Sequence, residues 1–431
     1  MKALNAIYRY VFGVFVLFVP LVFLPFNFYS AELAKAWLAY SAVAILFILW
    51  GTEFVLSGMQ IGRFSVRKAD WFVGLFAIWA LLSSWISKDA GSFVGGNLVA
   101  SGSFFVAIGA LLYFLSRRMW NRPSGVLLTL AAIFWGAVVS AAVAVVHLIK
   151  PFSLGAAFST SSAFNLTGDT YALGLYILVA LFVGFLLISR SRTNKRWLSA
   201  YIIGVVIMLA ALILLNILWV WIMLGLGSAI VIAYLINSQT ERHVLALSIA
   251  ALALSFIFIL VPFNWKISPQ NPVTLPYSYN WQAVRGSIGQ NFFFGSGPDS
   301  WSVQMLRFEP KEVNENQYFY AALSGPPEFL RIFAEEGYVG LLFYLGIISA
   351  VVIAGIRAVR RSFGAQGSLL RIAVVAWLIV TLFSFVYPLS VSGWLLFWIL
   401  SSLVVSGSLA LLEAREETEI IIEETAIQYE Q

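Results

Sequence analysis

Cysteine is absent from this 431-residue chain, so no disulfide framework, zinc–thiolate site or thiol nucleophile can be built. Histidine is nearly absent too. His147 and His243 alone leave no set for a multi-histidine metal centre, and no metal or other cofactor is expected. Charge is the third shortage: Asp, Glu, Lys and Arg make up 11% of the chain, against roughly 25% in soluble domains. What remains is apolar, 61% hydrophobic with a mean hydropathy of +0.90. Lipid, not water, must solvate most of such a surface. The net charge of +6 therefore does not call for nucleic acid. It belongs to loop arginines on one side of a membrane.

A hydrocarbon core about 30 Å thick takes roughly 20 apolar residues per helix. On that measure the chain is an all-α integral membrane protein with about twelve spans. They lie near 8–29, 36–57, 71–87, 97–116, 124–149, 170–189, 197–216, 217–236, 243–262, 337–357, 368–387 and 389–412. The seventh and eighth share one apolar run, divided at Asn216. Residues 1–262 thus hold about nine spans, 263–336 a large extracytoplasmic loop, 337–412 about three spans, and 413–431 an acidic tail. Of the 26 Lys and Arg, 18 fall on one side of this plan, among them Arg63, Arg117, Arg190 and Arg357. That side is read as cytoplasmic, with both termini inside a cytoplasmic (inner) membrane.

The loop is the place to look for chemistry, since loops longer than about 15 residues are usually functional or disordered. Trp281 and Arg285 stand four residues apart, one helical face, which sets a cation beside an interfacial aromatic. A short helix near 280–290 is expected. Arg285, Arg331 and Lys266 suit an anionic headgroup, because a guanidinium fork binds phosphate oxygens and stays charged. The turn Gly295-Ser296-Gly297-Pro298-Asp299 reads either as a plain turn or as a phosphate cradle. It lacks the Gly-Lys-Ser/Thr ending of a nucleotide loop.

With these stretches in view, the chain resembles the O-antigen ligase/polymerase-like family of multi-span membrane proteins. Trp281-Gln282-Ala283 to Gly295-Ser296-Gly297-Pro298 is similar to its "W-x-x-A…G-x-G-P-G" segment. Glu328-Phe329-Leu330 to Ala334-Glu335-Glu336-Gly337-Tyr338-Val339-Gly340 looks like its "E-x-L…A-E-x-G-x-x-G" entry into the next span. Asp70 to Gly95 and Phe164-Asn165 to Gly174 add two looser likenesses. The family's usual His-Asn pair is replaced here by Pro326-Pro327, and its Ser-Arg pair is missing near Ile217–Trp221.

The resemblance implies glycan transfer from a polyprenyl diphosphate at the outer face, with membrane lipid and a lipid-linked glycan as partners. Arg285 would meet the diphosphate with Arg331 as a second contact. Glu328 or Asp299 would act as general base. Lys266, Gly295, Gly297 and Trp281 would help bind substrate, and no metal is required. The rival readings are a twelve-span transporter, a lipid-linked glycan flippase, or a catalytically silent relative.

Overall fold

The computed structural model describes residues 2–24, 31–57, 66–87, 102–121, 123–152, 164–236, 242–261, 275–308, 325–361 and 364–407. Lys266, Arg63 and the tail 413–431 lie outside them. Every regular element among the described residues is helical. The first part of the chain forms α1 (Lys2–Phe18), α2 (Ala31–Leu56), α3 (Lys68–Ser87), α4 (Ser103–Ser116) and α5 (Pro123–Ile149). There follow α6 (Thr170–Arg190), α7 (Lys195–Leu215), α8 (Leu218–Leu235) and α9 (Arg242–Leu260). After them come α10 (Tyr277–Gln290), α11 (Trp301–Phe308), α12 (Glu328–Arg361), α13 (Gly364–Ser384) and α14 (Val391–Gly407).

Among the described residues, nine helices are long and apolar enough to cross a membrane. The chain is thus an α-helical, multi-pass membrane protein. Helices α1, α4 and α14 stand at the three other expected span positions but are shorter. The first run was expected over 8–29; its helix ends instead at Phe18, two residues before Pro20, which has no amide to continue the ladder. Asn216 divides α7 from α8 as its position suggested. It caps α7 in the left-handed region at φ 45°, and its side chain accepts the Trp221 indole N–H at 3.3 Å.

Helix α6 is almost wholly buried and packs against α5, α7, α8, α9 and α13. Helix α14 is equally buried. The remaining helices surround these two, α3 lying along α12 and α4 between α2 and α3. The bundle has two distinguishable ends. At one, Arg67 Nη1 donates to the carbonyl of Val405, near the C-terminus of α14, at 2.6 Å. At the other, Glu328 reaches the connector that precedes α14.

Helices α10 and α11 and the first turns of α12 form a cap over this second end. Its core is Ala283, Val284, Trp301, Met305, Leu330 and Ala334. Tyr338, the first residue of α12 past a break, stacks on Phe292 with centroids 5.3 Å apart. Tyr338 also begins an exposed apolar stripe, continued by Leu342, Leu345, Ile353 and Ile356. The cap therefore adjoins the start of this exposed apolar stripe.

Candidate functional site

Gly337 breaks α12, with φ 69° and ψ −168°. A break leaves the carbonyls of the preceding turn without helical donors. The turn at 292–297 and helix α3 supply them. The Ser296 amide donates to the Ala334 carbonyl at 3.1 Å, and the Gly297 amide to that of Glu335 at 2.8 Å. The Trp79 indole donates to the Glu336 carbonyl at 2.9 Å. In return the Tyr338 amide donates to Phe292 at 2.9 Å. The backbones run so close that a Cβ on Gly295 would lie 2.3 Å from the Glu335 carbonyl oxygen. One on Gly337 would lie 2.4 Å from that of Phe293. Both positions also have positive φ, so glycine is needed at each. The Gly295–Gly297 turn is thus a splice between cap and span. Its amides are spent on backbone carbonyls, Gly295 on Asn291 at 2.9 Å, which leaves none to cradle a phosphate.

Four charged side chains crowd the segment before the break. Glu328 is fully buried. Its Oε1 accepts Arg331 Nε at 2.8 Å and also Arg331 Nη2, while its Oε2 accepts the Leu389 amide at 2.9 Å. Pro326-Pro327 starts this helix: the Pro327 carbonyl accepts the Leu330 amide at 2.9 Å and that of Arg331 at 3.1 Å. Glu335 Oε1 accepts the Trp301 amide at 2.9 Å, at the start of α11. Asp299, at φ 62°, lies near enough for its charge to act on Arg331 and Glu335. Glu336 is 4% exposed, yet its Oε2 has no hydrogen-bond partner among the described residues.

Arg331, Glu335 and Glu336 border a narrow cleft faced by Trp394 and Trp398 and flanked by Phe76 and Phe105. The indole nitrogens of Trp394 and Trp398 are buried and likewise find no acceptor among the described residues. Gly109 gives Trp398 its place, since a Cβ there would lie 2.1 Å from the indole nitrogen. Two carboxylates orient the far wall by gripping the backbone where α14 begins. Glu328 holds Leu389, and Glu32 Oε2 accepts the Val391 amide at 2.6 Å. The second oxygen of Glu32 pairs with the fully buried Lys35 at 3.3 Å.

The structure brings Glu328, Arg331 and Asp299 together. It sets Arg285 and Trp281 apart from them, on the exposed face of α10 with Tyr277. The short helix expected near 280–290 is that helix, α10. Both oxygens of Glu328 are committed to Arg331 and Leu389, so its place is that of a brace. Glu335 and Glu336 are not among the residues expected at the site. The signal that marks them is an adjacent acidic pair at the start of a span, in a chain with so little charge. Glu32 and Lys35 carry a similar signal, an ion pair at i, i+3 inside an apolar helix. Comparison with protein-family models gives no match, and comparison with curated proteins gives none.

Proposed function

We propose that this is a glycan ligase- or polymerase-like membrane protein acting on polyprenyl-diphosphate-linked glycans at the outer face of the cytoplasmic membrane. In this reading the Arg67 end faces the cytoplasm with both termini, and the cap lies outside. The observation that carries it is a cluster of three buried carboxylates, Glu328, Glu335 and Glu336, around Arg331, with Arg331, Glu335 and Glu336 bordering a cleft. Intramembrane ionisable groups are costly and mark functional sites by default.

Exposed Arg285, beside exposed Trp281 on the cap, suits the donor's diphosphate. Its guanidinium would stabilise charge developing on the leaving group. A carboxylate of the cleft would take the acceptor's proton. The polyprenyl chain would lie along the exposed apolar stripe of α12. The test is release of diphosphate from a synthetic polyprenyl-diphosphate hexose by purified protein in nanodiscs, with methyl hexosides as acceptors. No release from any such donor would sink the reading.

The excess of carboxylates over cations favours one rival, a proton-coupled carrier. A carrier would move a labelled substrate across sealed vesicles without breaking a bond in it, so a single labelled donor separates the two.

A further inference from the structure

We propose that Glu336, together with the indole N–H groups of Trp394 and Trp398, forms the seat of the acceptor hydroxyl, and that Glu336 takes its proton. The inference rests on the glycan-transfer reading above and adds the group that activates the acceptor. Three of the residues that line one cleft, Glu336, Trp394 and Trp398, each carry a buried polar atom without a partner among the described residues: Oε2 of the first and Nε1 of the other two. Buried polar groups are ordinarily paired, so three exceptions in one place point to a partner that is not protein.

The chemistry of the three narrows the choice. A carboxylate oxygen accepts, whereas an indole N–H only donates. The group that answers both must donate and accept at once, which is what a hydroxyl does. The disubstituted diphosphate of the donor is fully ionised at neutral pH and has acceptors alone. It would also face Glu328, Glu335 and Glu336, with Arg331 already held by Glu328. A metal ion gains nothing from an indole, which offers no lone pair. An ammonium would satisfy Glu336 and leave both indoles unpaired. The cleft is narrow, so a single hydroxyl enters it while the rest of the sugar ring stays in its mouth.

The neighbouring carboxylates are less free to do this work. Glu328 has both oxygens committed, and Glu335 Oε1 is held by the Trp301 amide. In the step, the acceptor oxygen bonds to the donor's anomeric carbon. The bond from that carbon to the diphosphate oxygen breaks, and its electron pair leaves on the diphosphate. The hydroxyl proton passes to Glu336 Oε2 and later to water. The charged groups acting on Glu336 are Arg331, Glu335 and Glu328 on its own helix. Asp299 from the turn acts on Glu335 and Arg331. Helices α3, α4 and α14 line the cleft with Phe76, Phe105, Val106, Trp394 and Trp398, none of which titrates. The step needs Glu336 ionised, so the rate should rise with pH to a plateau.

The experiment uses the full chain in nanodiscs with a synthetic polyprenyl-diphosphate hexose as donor and methyl hexosides or water as acceptor. Glu336→Gln, nearly isosteric, should lower transfer at least about 100-fold and remove the rising limb of the pH profile. Trp398→Phe should raise the acceptor KM several-fold and leave the donor KM alone. Arg307→Ala, remote from the cleft, should change neither. Infrared titration gives a readout apart from turnover: a carboxylic-acid band of the wild type should vanish in Glu336→Gln and shift when methyl hexoside is added. If the wild type consumes donor and Glu336→Gln matches it, this assignment falls while glycan transfer stands. If the wild type consumes no donor with any acceptor, both fall. A carboxyl band that methyl hexoside does not move also overturns the seat.

Discussion

The two ends of the bundle bury charge in opposite ways. At the Arg67 end, Asp70 accepts Arg117 Nη1 at 2.6 Å and the Arg67 amide at 2.8 Å on one oxygen, and the Tyr113 hydroxyl at 2.8 Å on the other. Arg118 pairs with Glu53 nearby. Each carboxylate there has its own guanidinium. At the cap end, Glu328, Glu335 and Glu336 share Arg331, and Asp299 stands close by. Further round the same end, Glu32 and Asp169 share Lys35. Ion pairs matched one to one tie helices together. A surplus of buried carboxylate adds nothing to packing and is kept where a proton or a substrate group completes it.

The sharpest way to break this contrast is to remove one carboxylate from each end. Asp70→Ala strands the buried Arg117 and should cost about 3–5 kcal/mol of stability. Glu336→Gln removes a charge that has no hydrogen-bond partner on Oε2 and should leave stability unchanged or higher. Unfolding of both variants in mixed detergent micelles measures the difference. Equal losses would mean that the two ends are built alike.

The next effect is on rate. If the chain transfers glycans as proposed, Arg285→Ala should lower donor turnover by about 2–4 kcal/mol of transition-state stabilisation while the protein still inserts. Arg285→Lys should recover part of it, since lysine lacks the fork. Unchanged turnover in Arg285→Ala would move the diphosphate elsewhere on the cap.

Much of this architecture is legible in the residues themselves. Apolar run length finds the nine helices among the described residues that are long enough to cross a membrane, and Asn216 marks the α7–α8 break because a short amide side chain tolerates the left-handed region. Trp281 and Arg285 share an exposed helical face because i and i+4 do so on any helix. The glycine turn was ambiguous for a physical reason. Positive φ and close approach serve a phosphate and a neighbouring backbone equally well, and only the distance from Gly295 to Glu335 decides. The Glu336 cleft was hidden because its far wall, Trp394 and Trp398, is distant in sequence. Nothing local shows that two indoles without acceptors of their own will line one cleft with that carboxylate.

Asp169 tests the carboxylate surplus through pH. It caps α6, accepting the Ala172 amide at 2.7 Å, and burial pushes its carboxyl up from 3.8 to about 6. Below pH 3.8 it is protonated in the folded and unfolded chain alike, and no penalty arises. As pH rises, the unfolded chain ionises first, so stability from this group falls until about pH 6 and stays low above it. Asp169→Asn keeps a good cap and removes the titration. It should gain up to about 3 kcal/mol at neutral pH, and the gain should vanish in acid. A gain that persists in acid would have a source other than charge.

The smallest effect probes the splice that holds the cap over the cleft. The Ser83 hydroxyl donates to the Phe294 carbonyl at 2.9 Å, tying the turn to α3. Ser83→Ala leaves that carbonyl short of a donor, at a cost of about 1 kcal/mol. The loss should be local, because the Gly297–Glu335 and Tyr338–Phe292 bonds persist. Hydrogen exchange should therefore quicken at Gly295–Gly297 and stay slow in α6 and α14. If the cap end is a working site laid on a rigid bundle, loosening the turn raises the acceptor KM before it lowers the unfolding midpoint. The reverse order, a fallen midpoint with transfer intact, would make the splice a structural tie like Asp70–Arg117 and erase the difference between the ends.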